Sequence, residues 1–362
     1  MRLAAPRTEL AYGNTRLRAR RGGLLGGADY ERLIGADIDG LLKALDGTPY
    51  ARDVEAAERG DGLRRLHDAI RRNVGRTLEE MRAFYAERAR ELVDLLLSRF
   101  DIQNIVSVLR SKAGAERPED APLEVAAVGW LVDPLVGELL GQRELAGAVD
   151  LLARSSPDRD QAHVLRTAFI EYERTEDLAA LERAVVADHA ARSSVTLAAA
   201  GGPASTLLRF TRREIDERNL LTALRLRDAL AGGAAAAPPE DTLLPGGSAP
   251  PAAFEAAVHA PAPTAVAGTL ASVGGEAWRA PLARWAATGD FTALERELER
   301  RRIADAAALF ASGDPLAIDV PLAFTAAKLA EARNLRLLGE AAVRGIPSDL
   351  VRRELLWPGV RA

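Results

Sequence analysis

The sequence predicts an all-α protein of three similar helical domains, and three observations carry that prediction. Hydrophobic residues make up 48% and charged residues 28% of the chain, but aromatic residues only 5%, and alanine, leucine and arginine dominate. These are strong helix formers, and runs of β-branched or aromatic residues with period two are missing. The second observation is a recurring pattern: Asp101-x-x-Asn104, Asp216-x-x-Asn219 and Glu331-x-x-Asn334. Its asparagines stand 219 − 104 = 115 and 334 − 219 = 115 residues apart. An interval of that size marks a domain-scale unit, since solenoid repeats run roughly 20–50 residues. The third is a shorter motif, Gly60-Asp61-Gly62 to Leu66, Glu176-Asp177 to Leu181 and Gly289-Asp290 to Leu294, which opens a charged amphipathic helix each time. Its leucines fall 181 − 66 = 115 and 294 − 181 = 113 apart, as expected of diverged duplicates with variable loops.

Taken in order, residues 8–25 read as a first helix ended by Gly22-Gly23 or Gly26-Gly27. Domain boundaries fall at 1–115 (the first helix plus repeat one), 116–230 (repeat two) and 231–362 (a low-complexity linker plus repeat three). Repeat one contains a Thr48-Pro49-Tyr50 turn. It closes with apolar residues at helical spacing, Met81, Phe84, Tyr85, Leu92, Leu95 and Leu96, in a segment running to Lys112. Residues 113–122 read as a linker from their Gly, Pro and charges, and the Ala/Gly/Pro-rich stretch 229–251 reads the same way. In repeat two, Thr211-x-x-Glu214 has the form of a capping box. In repeat three, Pro321 opens a pattern unbroken through Glu331. Ser348 caps a short last helix, residues 349–356, before Pro358.

Placed on a helix, each acid lies three residues before its Asn and on the same face. The residues four before and four after each Asn are Phe100 and Val108, Ile215 and Ala223, and Ala330 and Leu338, all apolar or small. Each Asn therefore points into packing, where an unpaired amide costs roughly 1–3 kcal/mol. Asp101, Asn104, Asp216, Asn219, Glu331 and Asn334 read first as an internal hydrogen-bonded fastening of each repeat, and second as a contact surface for a partner.

Chemistry-bearing motifs do not appear. The three lysines, Lys43, Lys112 and Lys328, never follow a Gly, so no phosphate-binding G-x-x-x-x-G-K-[ST] loop is possible. His67, His163, His189 and His259 have no second His at metal-ligand spacing. Carboxylate pairs such as Glu79-Glu80 and Glu295/Glu299 lie beside arginines and read as solvated helix faces. The expectation is no catalytic residue, no metal and no cofactor. With no cysteine, disulfide and thiol chemistry are excluded. A net charge of −4 gives no footprint for nucleic acid, and the local cluster Arg16, Arg18, Arg20, Arg21 reads as a solvated helix face. The longest uncharged stretch, residues 256–275, is interrupted by Pro261 and Pro263 and will not insert into a bilayer.

Several segments, in order across nearly the whole chain, resemble the C subunit of the archaeal/vacuolar-type rotary ATPases, the equivalent of the d subunit of the vacuolar enzyme. They are Tyr12-Gly13-Asn14-Thr15-Arg16-Leu17-Arg18-Ala19-Arg20, Gly47-Thr48-Pro49-Tyr50, Asp101-x-x-Asn104-Ile105 with Leu109-Arg110-Ser111-Lys112, and Glu214-Ile215-Asp216-x-x-Asn219-Leu220. Leu243-Leu244-Pro245-Gly246-Gly247 follows, then Asn334-Leu335-Arg336 and Arg344-Gly345-Ile346-Pro347. Two departures stand out: Gly339-Glu340 replaces the Leu-Arg of earlier copies, and residues 196–206 and 229–240 are unusually rich in Ala, Gly and Pro. The resemblance implies a pseudo-threefold funnel of three helical domains without a catalytic site. It implies a rotor component between the central shaft subunits and the membrane proteolipid ring, passing torque between ATP chemistry and proton or sodium movement. The chain is then expected on the cytoplasmic face of the plasma membrane, membrane-associated only through the complex. The alternative is a free-standing helical scaffold or adaptor.

Overall fold

Leu10, Asn14 and Leu17 recur at helical spacing and form the buried stripe of α1 (Arg7–Arg20), which a short 3-10 turn at Arg21–Gly23 continues. The computed structural model describes residues 7–57, 62–114, 128–233 and 238–357, and among these every regular element is helical. The all-α expectation holds.

After α1 the helices follow one order three times. The first pass is α2 (Gly27–Leu33), α3 (Ile38–Leu45), α4 (Ala51–Ala56), α5 (Gly62–Arg82) and α6 (Glu87–Lys112). The second is α7 (Asp133–Gly141), α8 (Leu145–Ser155), α9 (Arg159–Thr175), α10 (Leu178–Ala200) and α11 (Ser205–Ala231). A single turn, α12 (Pro239–Thr242), precedes the third: α13 (Pro251–Val258), α14 (Pro263–Gly274), α15 (Glu276–Thr288), α16 (Phe291–Ser312) and α17 (Asp319–Arg344). A last helix, α18 (Ser348–Glu354), follows. Among the described residues each pass has three shorter helices leading into two long ones.

The shorter motif opens the fourth helix of each pass. Asp177 and Asp290 accept the backbone N–H groups of Ala180 (2.9 Å) and Ala293 (2.8 Å), satisfying donors that a helix start leaves free. The residues before them, Glu176 (φ 55°) and Gly289 (φ 69°), are left-handed and end the preceding helices in the same way. The first copy of this turn, at Gly60 and Asp61, lies outside the described residues.

The chain packs as two compact units. One holds the described residues of Met1–Val185 and Ala306–Arg361, the other those of Val186–Asp305. In the first unit α17 lies against α5, α3 and α1, while α6 lies against α7 and α8. Leu66, Ile70, Val74, Leu78 and Met81 give α5 its buried stripe. The Gly339 departure has a packing cause here: a Cβ at that position would stand 2.7 Å from Leu66 and 3.0 Å from Leu63, so the glycine lets α17 approach α5 closely. In the second unit Leu220 and Leu224 of α11 pack with Phe254, Leu270, Trp278, Leu282 and Trp285.

Four boundaries differ from the sequence reading. Thr211 and Glu214 lie inside α11, which begins at Ser205, so they cap nothing; Glu214 pairs instead with Arg218 at 3.4 Å. The segment from Leu78 to Lys112 is two helices, broken at residues 83–86, where Tyr85 turns inward to donate to Asn14 Oδ1 at 2.7 Å. The first helix stops at Arg20 and its 3-10 continuation at Gly23, at the earlier of the two glycine pairs and short of Leu25. Ser348 is the first helical residue of α18 and its side chain makes no cap. The linker readings at 113–122 and 229–251 fall partly on residues outside the described set.

Candidate functional site

Asp101, Asp216 and Glu331 all lie mid-helix, on α6, α11 and α17, the closing helix of each pass. Each is buried with its Asn: exposures are 5% and 2%, 6% and 4%, and 2% and 1% respectively. What each acid holds is not another helix but the backbone of a loop. Asp101 accepts the N–H of Leu131 at 3.2 Å. Asp216 accepts those of Ser248 (3.0 Å) and Ala249 (3.1 Å). Glu331 accepts that of Leu25 at 2.6 Å. Asn219 exchanges both hydrogen bonds with the backbone of Leu244 (2.9 and 2.7 Å), and Asn334 does the same with Leu356 (2.8 and 2.8 Å). The second and third are sockets in full, a helix-borne acid and amide that satisfy the backbone of a loop, and in the first Asp101 makes the acid's bond.

Glycine is required at two of them. A Cβ on Gly129 would stand 2.4 Å from Asp101 Oδ2, and one on Gly247 would stand 2.1 Å from Asp216 Oδ1. The loop backbone reaches the carboxylate only because no side chain intervenes. Glu79, which reads from the sequence as a solvated face, accepts the N–H of Gly129 at 3.0 Å and so belongs to the first socket.

Burial sets the electrostatics. The Asp101 carboxyl is pushed up to about 7, chiefly by burial and further by the Glu79 charge, against which the Leu131 and Trp130 N–H groups and Arg82 pull down. Asp216 is raised for the same first reason and opposed by its two backbone donors.

The third socket carries extra chemistry. Lys328, one turn before Glu331, lies 2% exposed, pairs with Glu331 and donates to the Tyr50 hydroxyl at 3.0 Å. The Tyr50 hydroxyl in turn donates to Glu331 Oε1 at 2.7 Å, and Lys328 Nζ sits 4.2 Å from the Tyr50 ring centre. Burial drives the Lys328 ammonium down, opposed first by Glu331, and drives Tyr50 well up. The Thr48-Pro49-Tyr50 turn is fixed from α5: Asn73 and Arg76 each donate to the Pro49 carbonyl at 2.9 Å, and to Asp53 at 2.7 Å.

Other charged groups are locked into structure. Glu217, 3% exposed, pairs with Arg213 (2.8 Å) and Arg302 (3.0 Å). His189 is lowered to about 4, by burial first and Arg192 next, and so stays neutral. Arg16, Arg18, Arg20 and Arg21 are exposed, as a solvated face requires, with Arg16 stacked 4.4 Å from the Phe84 ring centre and Arg21 4.8 Å from that of Phe310. Among the described residues no group of acids and histidines could hold a metal ion, and no helix is long and apolar enough to cross a membrane.

The chain matches the family model for the ATP synthase (C/AC39) subunit over residues 13–354. It belongs to that family. Curated relatives include the C subunit of the V-type ATP synthase of Thermus thermophilus, 28% identical over 358 residues, covering 97% of this chain and 99% of the relative. The C subunit of the A-type ATP synthase of Haloferax volcanii is 26% identical over 354 residues, covering 95% and 97%. The family's members are stalk components rather than catalytic ones, so this chain is a non-catalytic part of a V/A-type ATP synthase.

In this family member, the sequence reading had the sockets' helix residues but not their occupants. Lys328, Tyr50 and Asn14 were missed as buried polar partners, and the partly exposed Glu79 as an acceptor of the Gly129 N–H. Asn14, 1% exposed, donates to the carbonyls of Pro315 (2.8 Å) and Ala317 (2.9 Å), so it fixes α1 against the turn that leads into α17. Its only sequence signal was its place in the Tyr12-Gly13-Asn14 segment.

Proposed function

We propose that this chain is the central-rotor component that joins the central shaft subunits to the membrane proteolipid ring and transmits torque for ATP-coupled proton or sodium transport. The observation that carries the reading is the family match across residues 13–354, with relatives aligned almost end to end. On this reading the three recurrences are domains of 1–115, 116–230 and 231–362 set as a pseudo-threefold funnel, held at the cytoplasmic face of the plasma membrane by the complex alone.

The buried sockets support that role in physical terms. A part under torque must not shear at the loops between its repeats. Loops whose N–H groups end on buried carboxylates resist shear, because breaking them strands both partners without water. Asp101, Asn104, Asp216, Asn219, Glu331 and Asn334 act inside the protein in this account, leaving the partner contacts to other surfaces.

Affinity purification of the tagged chain from its native membrane tests the proposal. Shaft and proteolipid subunits should co-purify and should leave together when the complex is dissociated. Recovery of the chain alone from gently solubilised membranes, with an intact ATPase complex elsewhere in the gradient, would favour a free-standing adaptor and sink the rotor reading.

A further inference from the structure

The three sockets differ in where their occupants come from. Leu131 lies 131 − 101 = 30 residues after its acid, and Ser248 lies 248 − 216 = 32 after its own. Both loops are delivered by the chain that has just left the helix. Leu25 lies 331 − 25 = 306 residues before Glu331. The third socket also splits its work: Asn334 takes Leu356, 356 − 334 = 22 residues downstream, while Glu331 takes the beginning of the chain.

The chemistry differs at the same place. The position three before the acid is Ser98 in the first copy, Arg213 in the second and Lys328 in the third. Arg213 turns to Glu217 and Asp305, at 2.8 and 2.6 Å, and leaves Asp216 to the loop backbone. Among the described residues only Lys328 engages its own socket acid, and only there is a tyrosine hydroxyl added. The titratable groups around this centre come from several neighbouring elements. They are Tyr30 of α2 in hydrogen-bond contact with Asn334, Tyr50 and Asp53 at α4, Arg76 of α5, and Lys328 with Glu331 on α17. Glu331 is one methylene longer than the two aspartates, and it reaches Leu25 while still holding Lys328 and Tyr50.

A loop tethered by about thirty residues finds its socket at little entropic cost, whereas a segment joined through some three hundred has more to lose on closure and meets two look-alike sockets. A buried ion pair adds little net stability and in some proteins serves to fix one arrangement, and a half-made set is worse than none. We propose that Glu331, Lys328 and Tyr50 form a latch whose chemistry, not merely its position, holds the amino-terminal segment around Leu25 closed, and that this segment opens as a unit of its own, independently of the other two sockets.

The test is amide hydrogen exchange on the full chain. Replacing Lys328→Ser together with Glu331→Asp gives the third socket the Ser-x-x-Asp chemistry of the first. Exchange at Leu25 and its neighbours should quicken at least roughly thirtyfold, while Leu131, Ser248 and Ala249 keep their wild-type protection. The milder Tyr50→Phe removes one hydroxyl from the cluster and should quicken Leu25 severalfold with the same selectivity; it decides the matter if the double variant fails to fold. Wild-type protection of Leu25 in Tyr50→Phe and in a folded double variant would overturn the latch. So would a parallel loss at Leu131, Ser248 and Ala249, which would mean general loosening.

Discussion

Replacing Asp101 by Asn should raise stability in mild alkali and do nothing comparable in acid. The Asp101 side chain is buried, its carboxyl sits at about 7 instead of 3.8, and burial is the main cause. Because the folded-state value is raised, the folded chain holds a proton that the unfolded chain has lost between about pH 4 and pH 7. The resulting contribution to stability is fully present below the unfolded value and is lost as pH rises through the folded value. Above that point the fold carries an ionised, buried carboxylate beside Glu79. A shift of about three units at about 1.4 kcal/mol each puts the swing on the order of 4 kcal/mol. Asparagine keeps an oxygen to accept the Leu131 N–H and cannot ionise, so its stability lacks this slope. Urea unfolding followed by circular dichroism at about pH 5 and about pH 8.5, for both proteins, isolates the effect as a difference of differences. The variant should gain against wild type by about 2–3 kcal/mol between the two pH values, the rest of the swing lying below pH 5. An equal offset at both would refute a raised, buried Asp101.

Three further outcomes are expected. Asn219→Leu strands the N–H and carbonyl of Leu244, which now share 2.7 and 2.9 Å bonds with it, and should cost about 3 kcal/mol in thermal or urea unfolding; unchanged stability would show that the amide fastens nothing. His189 is held neutral with its value lowered to about 4, so stability should fall as pH drops from about 6.5 toward 4, where the unfolded chain takes up a proton first. His189→Gln should flatten that acid slope, read by unfolding between those pH values. The purified protein should neither bind nor hydrolyse ATP, and saturable micromolar binding in a calorimeter would contradict its non-catalytic place in the family.

How much of this was legible in the sequence follows from what side chains can and cannot announce. The helices and the threefold interval were readable because leucine and alanine stripes repeat at helical spacing, and because an acid and an amide three apart share a face. The occupants of the sockets were not, since Leu131, Ser248 and Leu25 take part through backbone N–H groups, which carry no residue signature. Gly129 and Gly247 were the one available signal, and glycine in a loop has too many other uses to be decisive. The capping-box reading of Thr211 failed because the pattern needs a helix start, and α11 begins six residues earlier, at Ser205. Lys328 looked ordinary because nothing local to it predicts Tyr50, 278 positions away, as its hydrogen-bond partner.

The covalent period and the compact packing do not coincide, and this decides where the chain can be cut. The two units divide between Val185 and Val186 and between Asp305 and Ala306, inside α10 and α16, and not in the stretches that composition marks as linkers. The sockets give the reason. The long helix that ends one repeat is completed by the loop that begins the next, as α6 is by Leu131 and α11 by Ser248 and Ala249. A fragment ending at residue 115 keeps Asp101 and Glu79 but loses the loop that satisfies them. It leaves exposed the face of α6 that α7 and α8 cover. Such a fragment should aggregate or show helix without fixed tertiary packing, whereas one extended to residue 185 with the third pass's last helix supplied in trans, residues 306–357, should recover cooperative unfolding. If the shorter fragment folds cooperatively alone, the loop is an accessory and the repeats are self-sufficient. If neither arrangement folds, the completion of one repeat by the next is not what holds this unit together.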